Sequence, residues 1–198
     1  MKLPRLFAPL LFATAAINAH ALPTVGFDQT TKSVDVGDTF ELVLQGSGFD
    51  TTFDAKLIDN VTGGQHFDLS FGAGVLQLVD VQIASRWIFS SGNKTGTIDN
   101  GAGTLTGMAF GTFPATTDDS FDIATLSFQA ISSGASELVL SGGVFAARVA
   151  SISGSVITPD FETTNISVTS PVPEPETWAV MLAGLGMIGW RTRRSLAA

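Results

Sequence analysis

The chain has 198 residues, 44% of them apolar and 14% charged, with 18 acids against 10 basic residues, 21 glycines and no cysteine. The absence of cysteine rules out a disulfide framework, a thiolate metal site and a cysteine nucleophile. Between Leu22 and Ser170 stand 16 acids against 5 cations (Lys32, Lys56, Arg86, Lys94 and Arg148), a formal charge of −11. That balance argues against nucleic-acid binding, whose affinity comes from Lys and Arg neutralising phosphates.

The chain opens with Lys2 and Arg5, an apolar run from Leu6 to Ile17, and then Asn18-Ala19-His20-Ala21. A basic start, a short apolar stretch and small residues at Ala19 and Ala21 form a secretory signal peptide, residues 1–21, cut after Ala21. The alternative is a membrane anchor. Twelve apolar residues, however, reach only about 18 Å as a helix, against a hydrocarbon core of about 30 Å. Export through the Sec machinery is the expectation.

From Leu22 the pattern turns from continuous to alternating. Phe40, Leu42 and Leu44 share one parity, as do Phe67, Leu69 and Phe71, then Leu126, Phe128 and Ala130, then Leu138 and Leu140. Period two marks half-buried strands. Between them lie clusters rich in Gly, Asn, Asp and Ser: 35–38, Thr62-Gly63-Gly64-Gln65, 91–94, 99–103 and 132–135. These read as turns. No stretch holds a 3.6-residue period for twelve positions, and a single helical turn is expected near Gly72 to Leu76. Short strands without intervening helices predict an all-β fold, a two-sheet β-sandwich occupying residues 22–169 as one domain.

Several segments resemble the cohesin-type module, a nine-stranded jelly-roll sandwich similar in shape to some carbohydrate-binding modules. They are Ser33 to Leu44 with its Gly37-Asp38 turn, Gly64 to Phe71 followed by Val75 to Val81, Asp122 to Ala130, and Ser136 to Ser141. The resemblance covers about Pro23 to Val168 and implies a jelly-roll scaffold for protein contacts. Phe71 stands where the family has a tyrosine, Gly72-Ala73-Gly74 replaces an Asp-Pro turn, and Asp50 to Asn60 reads as an insertion or extra strand. These departures keep the family's dockerin partner from being carried over.

Chemistry is sparse along this stretch. Removing the signal peptide leaves His66 as the one histidine, too few for a zinc site and with no companion for a triad; it is expected on a strand face. Trp87 is the one tryptophan before the tail, and with Arg86 beside it has two readings: a flat contact for a sugar ring, or core packing. Asp118, Asp119 and Asp122 lie within five residues and are either ligands for Ca²⁺, the one cofactor this set suits, or a solvated acidic loop. A glycosidase needs two facing carboxylates, and counting acids singles out no pair. No enzymatic activity is expected.

The tail begins with the linker 170–177, Ser170-Pro171-Val172-Pro173-Glu174-Pro175-Glu176-Thr177. An apolar run from Trp178 to Trp190 and the cluster Arg191, Arg193 and Arg194 follow, making 178–198 a hydrophobic helix with a basic end. The Pro-rich part stays extended, the apolar part enters a bilayer, and the arginines hold the cytoplasmic side. A plain tail anchor is the alternative. Thirteen apolar residues with three glycines suit brief rather than permanent residence.

Val172-Pro173-Glu174-Pro175, with Trp178 opening the apolar run and arginines closing the chain, resembles the PEP-CTERM sorting signal. That resemblance implies a Gram-negative host making extracellular polysaccharide, transient inner-membrane residence, and processing near Pro173 to Pro175 by an exosortase. The expected product is a non-catalytic protein at the cell surface or in the extracellular matrix, with a protein or exopolysaccharide partner. The alternative is a carbohydrate-binding module for a biofilm matrix.

Overall fold

The computed structural model describes residues 22–49, 61–89, 94–116, 118–149, 152–170 and 178–187. The expectations for the signal peptide with Ala19 and Ala21, the Asp50 to Asn60 insertion, the turn residues 91–93, the Val172 to Pro175 motif and Arg191, Arg193 and Arg194 lie outside the described residues.

The described residues form thirteen strands. In chain order the first seven are β1 (Thr24–Phe27), β2 (Thr31–Asp35), β3 (Thr39–Ser47), β4 (Val61–Ser70), β5 (Leu76–Ile83), β6 (Thr97–Asp99) and β7 (Thr104–Thr116). The rest are β8 (Ser120–Ala130), β9 (Gly134–Ser141), β10 (Val144–Val149), β11 (Ile152–Ile157), β12 (Asp160–Phe161) and β13 (Thr163–Thr169). A front sheet runs β12-β1-β3-β8-β5. A back sheet runs β11-β10-β4-β9-β13-β2, with β7 also paired to β4 and β6 to β7. This is an all-β, two-sheet sandwich.

Thirteen strands exceed the nine that the family resemblance implies, partly because the chain changes sheets within single extended runs. β1 lies in the front sheet and β2 in the back, and β12 and β13 repeat that switch alongside them in parallel. The two ends of the body are thereby bound to each other in both layers.

The alternating rows pack face to face. Phe40, Leu42 and Leu44 of β3 and Leu126 and Phe128 of β8 are buried, opposite Phe67 and Leu69 of β4, Leu138 and Leu140 of β9 and Phe145 of β10. Aromatic rings knit the middle, with Phe67 edge-on to Phe145 at 5.1 Å and Phe49 against Phe121 at 4.8 Å. Each such pair adds about 0.5–1.5 kcal/mol beyond its buried area.

The turn expected at 62–65 is instead part of β4. Gly63 and Gly64 are glycines for closeness, not for turning: a Cβ on Gly63 would collide with the Phe110 carbonyl, and one on Gly64 would sit 2.6 Å from the rings of Phe67 and Phe110. The single helical turn falls where expected, with the Leu76 amide donating to the Gly72 carbonyl at 2.9 Å. His66 departs from the flat strand face expected of it: its φ of 62° is left-handed, at an irregularity where β4 slips register against β7.

Strand register defines two ends of the sandwich. At the near end Thr169 closes β13 beside Asp35, and the Val36 amide donates to its carbonyl at 2.9 Å. At the far end, nine residues of β3 away and so roughly 27 Å, Ser47 pairs with Thr24 and Ser120. The tail leaves from the near end.

Candidate functional site

The far end of the front sheet carries a cleft of about 450 Å³. A bulge in β8 shapes it. Register passes from Leu44 opposite Ala124 to Gln45 opposite Asp122, so Ile123 and Ala124 are both buried and Asp122 turns outward. There Gln45 Nε2 donates to Asp122 Oδ1 at 2.8 Å. Glu162, between β12 and β13, lies across Gly26 of β1 so closely that a Cβ on Gly26 would fall 2.7 Å from its Oε2. Ser47, Ser85 and Ser120 add hydroxyls to the lining.

Arg86 closes one side. Its guanidinium lies over the Phe121 ring, 5.8 Å from the centroid, and its Nη2 is 2.6 Å from Asp118 Oδ2. Hydrogen bonding and charge from Arg86 hold the Asp118 carboxyl below its ordinary range. The cleft therefore joins two carboxylates, Asp122 and Glu162, to a cation already engaged elsewhere. Both carboxylates belong to exposed residues.

Of the pair proposed for a sugar contact, Arg86 lines the cleft and Trp87 does not. Trp87 is 3% exposed, its ring is packed against Phe110 at 4.7 Å and Phe121 at 5.4 Å, and its Nε1 donates to the Asp122 carbonyl at 3.0 Å. Core packing, not a sugar contact, is its place. The reason is topological: segment 84–89 carries the chain from front sheet to back over the far end, and the indole pins that crossing.

Asp118, Asp119 and Asp122 do not converge. Asp118 pairs with Arg86, Asp122 accepts from Gln45, and among the described residues no group of three or more carboxylates or histidines is disposed to hold a metal. The residues present do not fit Ca²⁺.

Sequence reasoning passed over Glu162, Gln45 and a second feature, a trough of about 290 Å³ on the back sheet whose described lining residues carry no charge. Its floor is small, with Gly63, Gly64, Gly111 and Ala146; Thr62 and Gln65 line it beside Phe89. Phe89 meets Phe113 at 4.4 Å between ring centroids, and Phe113 is 70% exposed. The signal that hid this pair is a bulge at Gly107 in β7 (φ 72°). Unbroken alternation would put Leu105 and Phe113 on the same face, whereas the bulge sends Leu105 inward and Phe113 out.

At the C-terminus the described helix, α1, covers residues 178–187. Trp178, Val180, Met181, Leu182, Leu185 and Met187 are all at least half exposed. Among the described residues no helix is long and apolar enough to cross a membrane, so the spanning segment expected over 178–198 is not shown.

Comparison with known proteins bears on both parts. The chain carries a PEP-CTERM protein-sorting motif at residues 171–194. No curated protein matches the chain in sequence. Its fold is similar to that of the seventh ScaB type I cohesin of Pseudobacteroides cellulosolvens, with TM-score 0.59 and 13% identity over 78% of this chain and 96% of that one. It is likewise similar to a chain of the Coh-OlpC–Doc435 type I cohesin–dockerin complex of Clostridium thermocellum, with TM-score 0.60 and 12% identity over 79% and 99%. A third is the cohesin module of a Clostridium perfringens family 33 glycoside hydrolase, with TM-score 0.56 and 14% identity over 76% and 97%. At these identities the likeness is one of fold, and the sandwich is cohesin-like.

Proposed function

We propose that this chain is an exported, non-catalytic surface or matrix protein, sorted by an exosortase through its tail and offering its cohesin-like sandwich to a protein partner outside the cell. The observation that carries the reading is position: the sorting motif starts at residue 171, two residues beyond Thr169, the last residue of the strand that ties the body's two ends together. A processing enzyme drawing the tail into a membrane therefore acts on a cargo already closed behind it. In this reading the Sec machinery exports the chain, a signal peptidase cuts after Ala21, and the chain resides briefly in the inner membrane of a Gram-negative cell. Arg191, Arg193 and Arg194 stay inside, and cleavage falls near Pro173 to Pro175.

Because β13 ends at the near end, the far end with its cleft is remote from the point where the tail joins the body. The Clostridium thermocellum structure is a cohesin–dockerin complex, and a protein is the partner class the fold suggests, while the departures at Phe71 and 72–74 keep the dockerin itself from being carried over. Asp122 and Glu162, on a chain of formal charge −8, favour a basic patch on that partner.

Intact mass of the protein recovered separately from culture fluid and from membranes tests the sorting. The exported species is expected to begin at Leu22 and end between Pro173 and Pro175. Exported protein still carrying Arg191 to Arg194 contradicts the reading.

A further inference from the structure

We infer that the trough on the back sheet, with the Phe89–Phe113 pair at its side, is a binding site for a neutral hexopyranose polymer. This goes beyond the sorting and protein-contact reading and stands or falls without it.

Three features point to that occupant. The first is apolar and exposed: Phe113 offers 70% of its surface to solvent and its ring lies against Phe89, so among the described residues the pair presents an open ring face. Phe89 is itself held, because its amide donates to the Gly111 carbonyl at 2.9 Å. The platform is thus anchored on β7 rather than carried by a loose side chain. The C–H face of a pyranose ring is the kind of surface that stacks on such a ring.

The second feature is polar and neutral. Thr62 and Gln65 line the trough beside the glycines, and none of the described lining residues is charged although the chain as a whole is strongly acidic. An ionic ligand finds no counter-charge there, and a polyanion is repelled by the surrounding molecule. The Thr62 hydroxyl donates to the Ala146 carbonyl at 3.2 Å, and a purely apolar ligand would cover polar groups of Thr62 and Gln65 without offering them a partner, at a cost. A neutral sugar, apolar on its ring face and hydroxylated at its edge, matches both.

The third feature is shape. The floor is low because Gly63, Gly64 and Gly111 carry no side chain and Ala146 only a methyl, so a chain can lie across β4 and β7. The volume of about 290 Å³ is at the small end of small-molecule sites and suits a short stretch of polymer rather than a protein face, which usually covers about 800 Å² on each partner.

Affinity electrophoresis of the full chain in detergent tests the inference, with dextran, hydroxyethyl cellulose, mixed-linkage β-glucan or galactomannan cast in the gel and alginate as the anionic control. At least one neutral polymer is expected to retard the protein, and alginate is not. Phe113→Ala should weaken that retardation by about three- to tenfold, the scale of one aromatic contact, while Phe113→Trp keeps it. Both variants should keep the cooperative thermal unfolding transition of the parent, Phe113→Ala losing no more than the contact with Phe89, since Phe113 is mostly exposed. Retardation by alginate alone, by none of the polymers, or undiminished in Phe113→Ala overturns the inference.

Discussion

The sandwich and the C-terminal helix are both rich in large apolar side chains and dispose of them in opposite ways. In the body Phe67, Phe128 and Phe145 are at most 1% exposed, each closed in by the facing sheet. In α1 the consecutive residues Val180, Met181 and Leu182 are 73%, 50% and 65% exposed. Successive helical positions point about 100° apart, so this helix is apolar around its whole circumference. A surface helix of a globular protein keeps one polar face; an apolar girdle matches an apolar surround that the sandwich does not supply. The contrast separates apolar residues that build the fold from apolar residues that address it.

The largest test of that separation is Phe67→Ala, which removes a ring touching Phe110, Phe145 and Phe161. It should cost about 3–5 kcal/mol in denaturant unfolding. Leu182→Ala, an equally apolar loss in the helix, should leave the unfolding midpoint of the body where it was. A shift with Leu182→Ala would mean that the helix packs on the sandwich.

Next comes Gly103→Ala, at the turn before β7. Gly103 has φ 68°, and a Cβ there would collide with the Phe71 carbonyl. The expected loss is about 1–3 kcal/mol by the same measurement. Gly184→Ala in α1, where a Cβ meets nothing within 4 Å, should not register.

Trp87 and Trp178 sharpen the same contrast spectroscopically. Trp87 emission should be blue-shifted and resist iodide quenching, whereas Trp178, 52% exposed, should be quenched; single-tryptophan variants read each separately. Trp87→Phe, which removes the donor to the Asp122 carbonyl, should cost about 1 kcal/mol.

The smallest effect is electrostatic and belongs to the far end. Arg86 lowers the folded-state pKa of Asp118, so the contribution of the pair is complete above the ordinary carboxylate range and disappears as pH falls through the lowered value. Asp118→Asn should abolish only that acid-side dependence in a pH series of unfolding curves. Because Asp118 is exposed, the difference should shrink further with added salt.

Much of the body was legible beforehand because alternation is a local property. The parity of Phe40, Leu42 and Leu44, and of Leu126 and Phe128, already says which face is buried, whatever the neighbouring strand. The glycine pair at 63–64 misled for an equally local reason: in sequence a glycine serving a turn is indistinguishable from a glycine serving a close approach, and only the Phe110 backbone beside it decides. Trp87 remained open between two readings until Phe110 and Phe121, residues distant in sequence, were seen to enclose it.

The sorting motif is readable end to end in the chain, since its Pro-rich stretch, apolar run and arginines are contiguous and act by composition and order. Likewise the absence of cysteine and the excess of acid are facts of composition that no fold can change. What the tertiary structure alone decided are the places where sheets meet and registers slip. The bulge at Ile123 turns Asp122 toward Gln45, the bulge at Gly107 turns Phe113 outward, and the crossing at 84–89 assembles the far end around Trp87. A one-residue slip inverts every side chain beyond it, and where such slips fall is set by the partner strand rather than by the residues that carry them.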